Sequence, residues 1–147
     1  MTGSAKPRVL VVDEDLLFTV RIETTLRKLG YDVFVTGNAE EAVTIAEAMD
    51  LSLVIINFGR EGLQPMETTA KLKAVYQPAL VLGYISHKLI PGLRDQAREA
   101  GCDMLVANSA MVLRLVPLVE RLAPIDGSAA RIVEAEELAE EQEDAAP

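Results

Sequence analysis

The stretch "RVLVVDEDLL", Arg8 to Leu17, decides the fold. Its first half is apolar through Val12 with no polar alternation, as in a strand whose sheet is covered on both faces. It then breaks into three carboxylates, Asp13, Glu14 and Asp15. Asp15 is placed to cap a helix whose apolar positions Phe18, Ile22, Leu26 and Leu29 follow helical spacing. Gly30 is expected to end that helix, with Arg27 and Lys28 in its last turn. The unit is a buried strand, an acidic turn and an amphipathic helix.

The same unit recurs along the chain. Strand-like runs are predicted at Arg8–Val12, Asp32–Val35, Ser52–Ile56, Ala79–Leu82 and Met104–Ala107. Asn38 can cap the second helix, with Glu41 at the third helical position and Ala42, Val43 and Ala46 facing inward. Pro65 suits the first turn of the third helix. Pro91 starts a fourth that runs to about Ala100 and stops at Gly101. Ser109 is expected to cap a fifth, running to about Ala123 and kinked by Pro117. Five such units imply an α/β fold with an open parallel sheet of five strands, doubly wound and flavodoxin-like, in the order 2-1-3-4-5.

Charge divides the chain unevenly. Residues 127–147 hold seven carboxylates and one arginine, while residues 1–126 hold 16 acidic and 13 basic side chains. Of the net charge of −9, the tail therefore carries −6 and the rest −3. The expected organisation is a flexible N-terminus over 1–6, a folded domain over 7–123 and an acidic, disordered tail over 124–147. Without a basic excess, direct nucleic-acid binding is not expected. No apolar run approaches the roughly 20 residues of a membrane helix, the first residues lack a secretion signal, and Cys102 is the lone cysteine. A cytoplasmic chain with no membrane partner is expected.

In open α/β sheets, ligands and chemistry gather outside the carboxyl ends of the strands. There the sequence offers Asp13, Glu14 and Asp15 after strand 1, Asn57 after strand 3, Gly83, Tyr84 and Ser86 after strand 4, and Asn108 and Ser109 after strand 5. No dinucleotide fingerprint, phosphate-cradling loop or nucleophile elbow is present. His87 is expected in a loop or helix start, and Cys102 as a small buried side chain.

Over about residues 7–123 the chain resembles the receiver domain of bacterial two-component response regulators. The resemblance rests on "RVLVVDEDLL", "KLGYDVFVTGNAEEAV" and "AREAGCDMLVANS", in that order and at near-standard spacing. It implies that Asp13 and Glu14 correspond to an acidic pair that helps hold magnesium. Asn57 then stands where an aspartate accepts a phosphoryl group, and Asn108 where a lysine contacts it. The Thr or Ser after strand 4 falls on Gly83 counted from Pro78, and on Ser86 counted back from Asn108. The aromatic switch on strand 5 falls near Leu105. Against the usual "D-x-x-M-P-x-x-x-G", Arg60 and Glu61 replace Met-Pro, and Pro65 replaces the glycine.

An amide cannot act as the anionic nucleophile that a carboxylate provides. With acceptor, lysine and switch aromatic all replaced, a degenerate receiver, or pseudo-receiver, is expected. It would stand alone, catalyse nothing, require no cofactor and at most weakly bind magnesium at Asp13 and Glu14. Its signalling would run through contact with a protein partner. In the last helix Met111, Leu115, Leu118 and Leu122 form a stripe, with Val112, Val116 and Val119 beside it. That arc is wider than the roughly 100° needed to pack on a sheet. Met111, Leu115, Val119 and Leu122 are therefore the expected partner surface, with a homodimer through helix 4, strand 5 and helix 5 as one use of it. A deeply packed helix is the alternative. Two other functions compete: a divergent phosphorylatable receiver using Asp13 or Glu14 with Ser86, and a small α/β protein that binds a ligand or cofactor.

Overall fold

The computed structural model describes residues 6–130; the expectations for residues 1–5 and for the acidic stretch 131–147 lie outside the described residues. The strands are β1 (Arg8–Val12), β2 (Asp32–Thr36), β3 (Leu53–Asn57), β4 (Leu80–Ile85) and β5 (Met104–Ala107). All pairs are parallel and the order is β2-β1-β3-β4-β5. The expected flavodoxin-like sheet is the one observed. Parallel strands need crossovers, supplied here by α1 (Leu16–Lys28), α2 (Ala39–Ala48), α3 (Pro65–Lys73) and α4 (Ile90–Ala100).

Alternation along the strands sorts the core into two layers. Val9, Val11, Leu53, Ile55, Leu82, Tyr84, Met104 and Val106 share one layer with Ile22 and Leu26 of α1. Leu10, Val12, Val54, Ile56, Val81, Ile85 and Leu105 face the other way, toward Ala42 of α2, Leu72 of α3 and Ala97 of α4. Both layers are buried, which is why the strands read as unbroken apolar runs.

The helix signals hold locally. The Asp15 carboxylate accepts from the N–H groups of Leu17 and Phe18, each at 3.1 Å, and Asn38 Oδ1 accepts from Glu41 N–H at 2.8 Å. Gly30 and Gly101 follow α1 and α4 with φ of 102° and 107°, a left-handed region that favours glycine. Leu29, the last of the apolar positions at helical spacing, is the exposed cap of α1.

Three strand or helix ends differ in ways that matter. β3 ends on Asn57, so this residue belongs to the ladder rather than to the loop. β4 runs three residues past the expected Leu82, through Gly83 and Tyr84 to Ile85. Glycine is a poor strand former and reads as an end, but here it is needed. A Cβ added at Gly83 would stand 2.5 Å from Phe58 Cε1 and 3.1 Å from Leu105 Cδ1. The single last helix is in fact two, α5 (Asn108–Leu113) and α6 (Leu115–Leu122), meeting at Arg114. Pro117 has no N–H to give the Leu113 carbonyl, and its ring crowds that carbonyl, so the helix breaks where that bond is lost. Ser109 caps nothing: α5 starts at Asn108 with no side-chain cap.

The partner-surface assignment must be corrected. Met111, Leu115, Val119 and Leu122 are buried, between 0% and 7% exposed, in the core layer that contains β1, β4 and α1 residues. The large apolar side chains exposed on this segment are Val112 and Leu113, both on α5.

Candidate functional site

Strand order brings the ends of β1, β3 and β4 side by side, and the three converge on one side chain. Asp13 is the only buried charged residue among the described residues, at 2% exposure. A buried carboxylate is costly unless its oxygens are satisfied, and here both are. Oδ1 accepts from the Asp15 N–H at 3.1 Å and lies 3.7 Å from Arg60 Nε. Oδ2 accepts from Asn57 Nδ2 at 3.1 Å and from the Tyr84 hydroxyl. A second arm of Arg60 lies 3.8 Å from Asp15 Oδ2, so one guanidinium spans two carboxylates.

The Asn57 amide has a determined orientation. Its Oδ1 accepts from the Gly59 N–H at 2.7 Å. Flipping the amide would set an NH2 group against that N–H and an oxygen against Asp13. The two contacts together fix the nitrogen toward the carboxylate.

Tyr84 pairs with Asn57 across the β3–β4 ladder, and the Phe58 N–H bonds the Tyr84 carbonyl at 2.8 Å. Its ring is fully buried, edge-on to Phe18 at 5.0 Å. Burial, reinforced by the hydrogen bond to Asp13, holds the phenol protonated far above its ordinary range. Tyr31, which donates to the Ala123 carbonyl at 2.7 Å, is pushed up from 10.0 to about 12 by burial, then by Glu120 and Asp126. Burial also pushes the Cys102 thiol up from 9.0 to about 12, which leaves it inert at neutral pH. All three groups keep their protons in the folded chain where the unfolded chain loses them. Their stabilisation is complete below pH 9 and is lost as pH rises toward 12. Chemical denaturation across that window is expected to show falling stability, with a shallower fall in Tyr84→Phe.

The predicted site residues separate. Asn57, Ser86 and Asn108 line one groove of about 530 Å³ with Asp15, Arg60, Ser109 and Val112. Gly83 faces the opposite layer, beneath Phe58. Glu14 is exposed at the rim, its carboxylate against Gly62. His87 is exposed at the start of a short 3₁₀ turn. Neither Gly83 nor Ser86 pairs with Asn57; Tyr84 does, a role the sequence reading missed. The signal was available: Tyr84 shares strand alternation with Leu82 and, through the register, with Asn57. Arg60 was noticed as a replacement, but not as the cation that reaches Asp13.

No family model matches the chain. In sequence it is similar to the transcriptional regulatory protein AruR of Pseudomonas aeruginosa, 33% identical over 137 residues, covering 84% of this chain and 53% of that protein. The chain spans about half the length of the curated relatives it matches. In structure it is similar to a response regulator from Thermotoga maritima, with a TM-score of 0.68 and 23% identity over 84% of this chain and 100% of that one. A TM-score of 0.72, at 16% identity over 86% and 95% of the two chains, relates it to a structure from Saccharomyces cerevisiae. That structure holds the histidine phosphotransfer signalling protein Ypd1 and the receiver domain of the response regulator Ssk1. At these identities the structural likeness is one of fold. Among the described residues no helix is long and apolar enough to cross a membrane.

Proposed function

From the premise that this chain is a receiver domain with the response-regulator fold, we propose that it is a degenerate one, signalling by protein contact without an aspartyl-phosphate switch. One observation carries the reading. Asn57, at the end of the central strand, is an amide hydrogen-bonded on both sides, to Asp13 and to Gly59. It offers no anionic nucleophile, and its oxygen is already engaged. Asn108 brings no cation to the same groove.

A partner then has to read shape. Leu16, Leu17 and Val20 on α1 are 74%, 88% and 54% exposed, and Leu113 on α5 is 76% exposed. Phe18 and Val112 line both the site groove and an adjoining cleft between α1 and α5–α6. This apolar edge therefore adjoins the polar site. Clustered exposed apolar side chains of this kind mark interaction surfaces. By likeness to the Ssk1 receiver, the partner class to try first is a histidine phosphotransfer protein.

The test is a titration of such a protein with the full chain, with and without a small-molecule phosphodonor and magnesium. Binding should be indifferent to the phosphodonor and weakened at least about tenfold by Leu17→Asp or Leu113→Asp. Affinity that rises with phosphodonor would overturn the reading.

A further inference from the structure

The receiver fold implies a divalent cation among the carboxylates that follow β1, and the residues of this chain do not fit one. Such an ion takes about six oxygen ligands. Both Asp13 oxygens are committed, each facing two donors. Asn57 turns its nitrogen, not its oxygen, to the place where an ion would sit beside Asp13. Glu14 stands at the rim against Gly62. Among the described residues no group of three or more His, Cys, Asp or Glu side chains is arranged to hold a metal.

We propose that the Arg60 guanidinium is this chain's own substitute for that cation, and that it keeps divalent metals out of the site. It lies beside the buried Asp13 of that acidic pair and the helix-capping Asp15, 3.7 Å from Asp13 Oδ1 and 3.8 Å from Asp15 Oδ2. Its position follows from the loop. Phe58 is buried over Gly83, and the Asn57 side chain ties back to the Gly59 N–H, so the next residue is aimed toward Asp13. The substitution is thermodynamically sensible. Asp13 needs a positive neighbour because it is buried, and a tethered guanidinium is present in every copy. A free ion would have to displace it and then meet an amide NH2. The side chain of Arg60 is 47% exposed. The clasp therefore closes from the solvent side, at the entrance a metal would use.

This inference rests on the degenerate-receiver reading, and its test fails separately. Manganese binding to the full chain is followed by electron paramagnetic resonance in wild type, Asn57→Asp, and Asn57→Asp combined with Arg60→Met. Thermal melts check that each variant folds. Wild type and Asn57→Asp should show no saturable binding at about 1 mM manganese, the weak end of protein affinities for divalent cations. The double variant should bind at least about tenfold more tightly than Asn57→Asp, because the positive charge that competes for the Asp13 carboxylate has gone. If the Met variant does not fold, Arg60→Gln in the same background keeps a polar chain without the charge and carries the same expectation. Saturable binding by wild type, equal affinity with and without Arg60, or no binding by the folded double variant would each overturn the inference. Those results concern the cation alone. A phosphoryl adduct on wild type would sink the functional reading, whatever Arg60 does.

Discussion

Val119→Asp is expected to abolish the folded domain, leaving no cooperative thermal transition. Val119 is fully buried in α6, within the layer that contains Val9, Val11 and Leu26. A carboxylate there has no partner and costs several kcal/mol even after it takes up a proton. A domain of ordinary stability, about 5–15 kcal/mol, has little left after that loss together with the loss of packing. Leu113→Asp, two turns earlier and 76% exposed, should stay within about 0.5 kcal/mol of wild type. Circular dichroism melts of the pair separate core from surface on this segment. An unchanged melt for Val119→Asp would mean that the α6 stripe faces outward after all.

Asp13→Ala should destabilise the domain by about 3–5 kcal/mol, the cost of breaking a buried charge network by removing one member. The sign is the informative part. In a crowded acidic cluster, deleting one carboxylate relieves repulsion and stabilises. Here the deletion strands the buried Tyr84 hydroxyl and the Asn57 nitrogen. Tyr84→Phe removes one of those stranded groups, so the two substitutions together should cost less than their sum, with about 1–3 kcal/mol of coupling. Urea denaturation of the single and double variants measures it. A gain in stability for Asp13→Ala would show that the carboxylates still repel and that Arg60 does not neutralise them.

Much of this fold could be read from local signals. Unbroken apolar runs gave the strand count, Asp15 and Asn38 gave the helix starts, and the alternation of units gave the parallel order. These depend on neighbours in sequence, where periodicity and capping operate. At the site Asp13, Asp15, Asn57, Ser86 and Asn108 were legible as strand-end residues, but not the contacts that join them. Tyr84 was hidden because Gly83 interrupts the strand signal, and that glycine is explained only by Phe58 packing from another strand's loop. Arg60 was hidden because its reach depends on how the loop after β3 folds, which the burial of Phe58 decides. The stripe on α5 and α6 was misassigned for a similar reason. Its apolar arc is wide, but which part is covered depends on α1 and β4, far away in sequence.

The central claim is that the end of the central strand holds no reactive anion. The most direct test is intact-mass measurement of the full chain after incubation with acetyl phosphate and magnesium, with Asn57→Asp/Arg60→Met treated in parallel. An unshifted wild-type mass is predicted. A stoichiometric phosphoryl adduct on wild type, mapped by peptide analysis to the Leu53–Gly59 region, would contradict it, and one on Asp13 or Glu14 would favour the divergent phosphorylatable receiver instead.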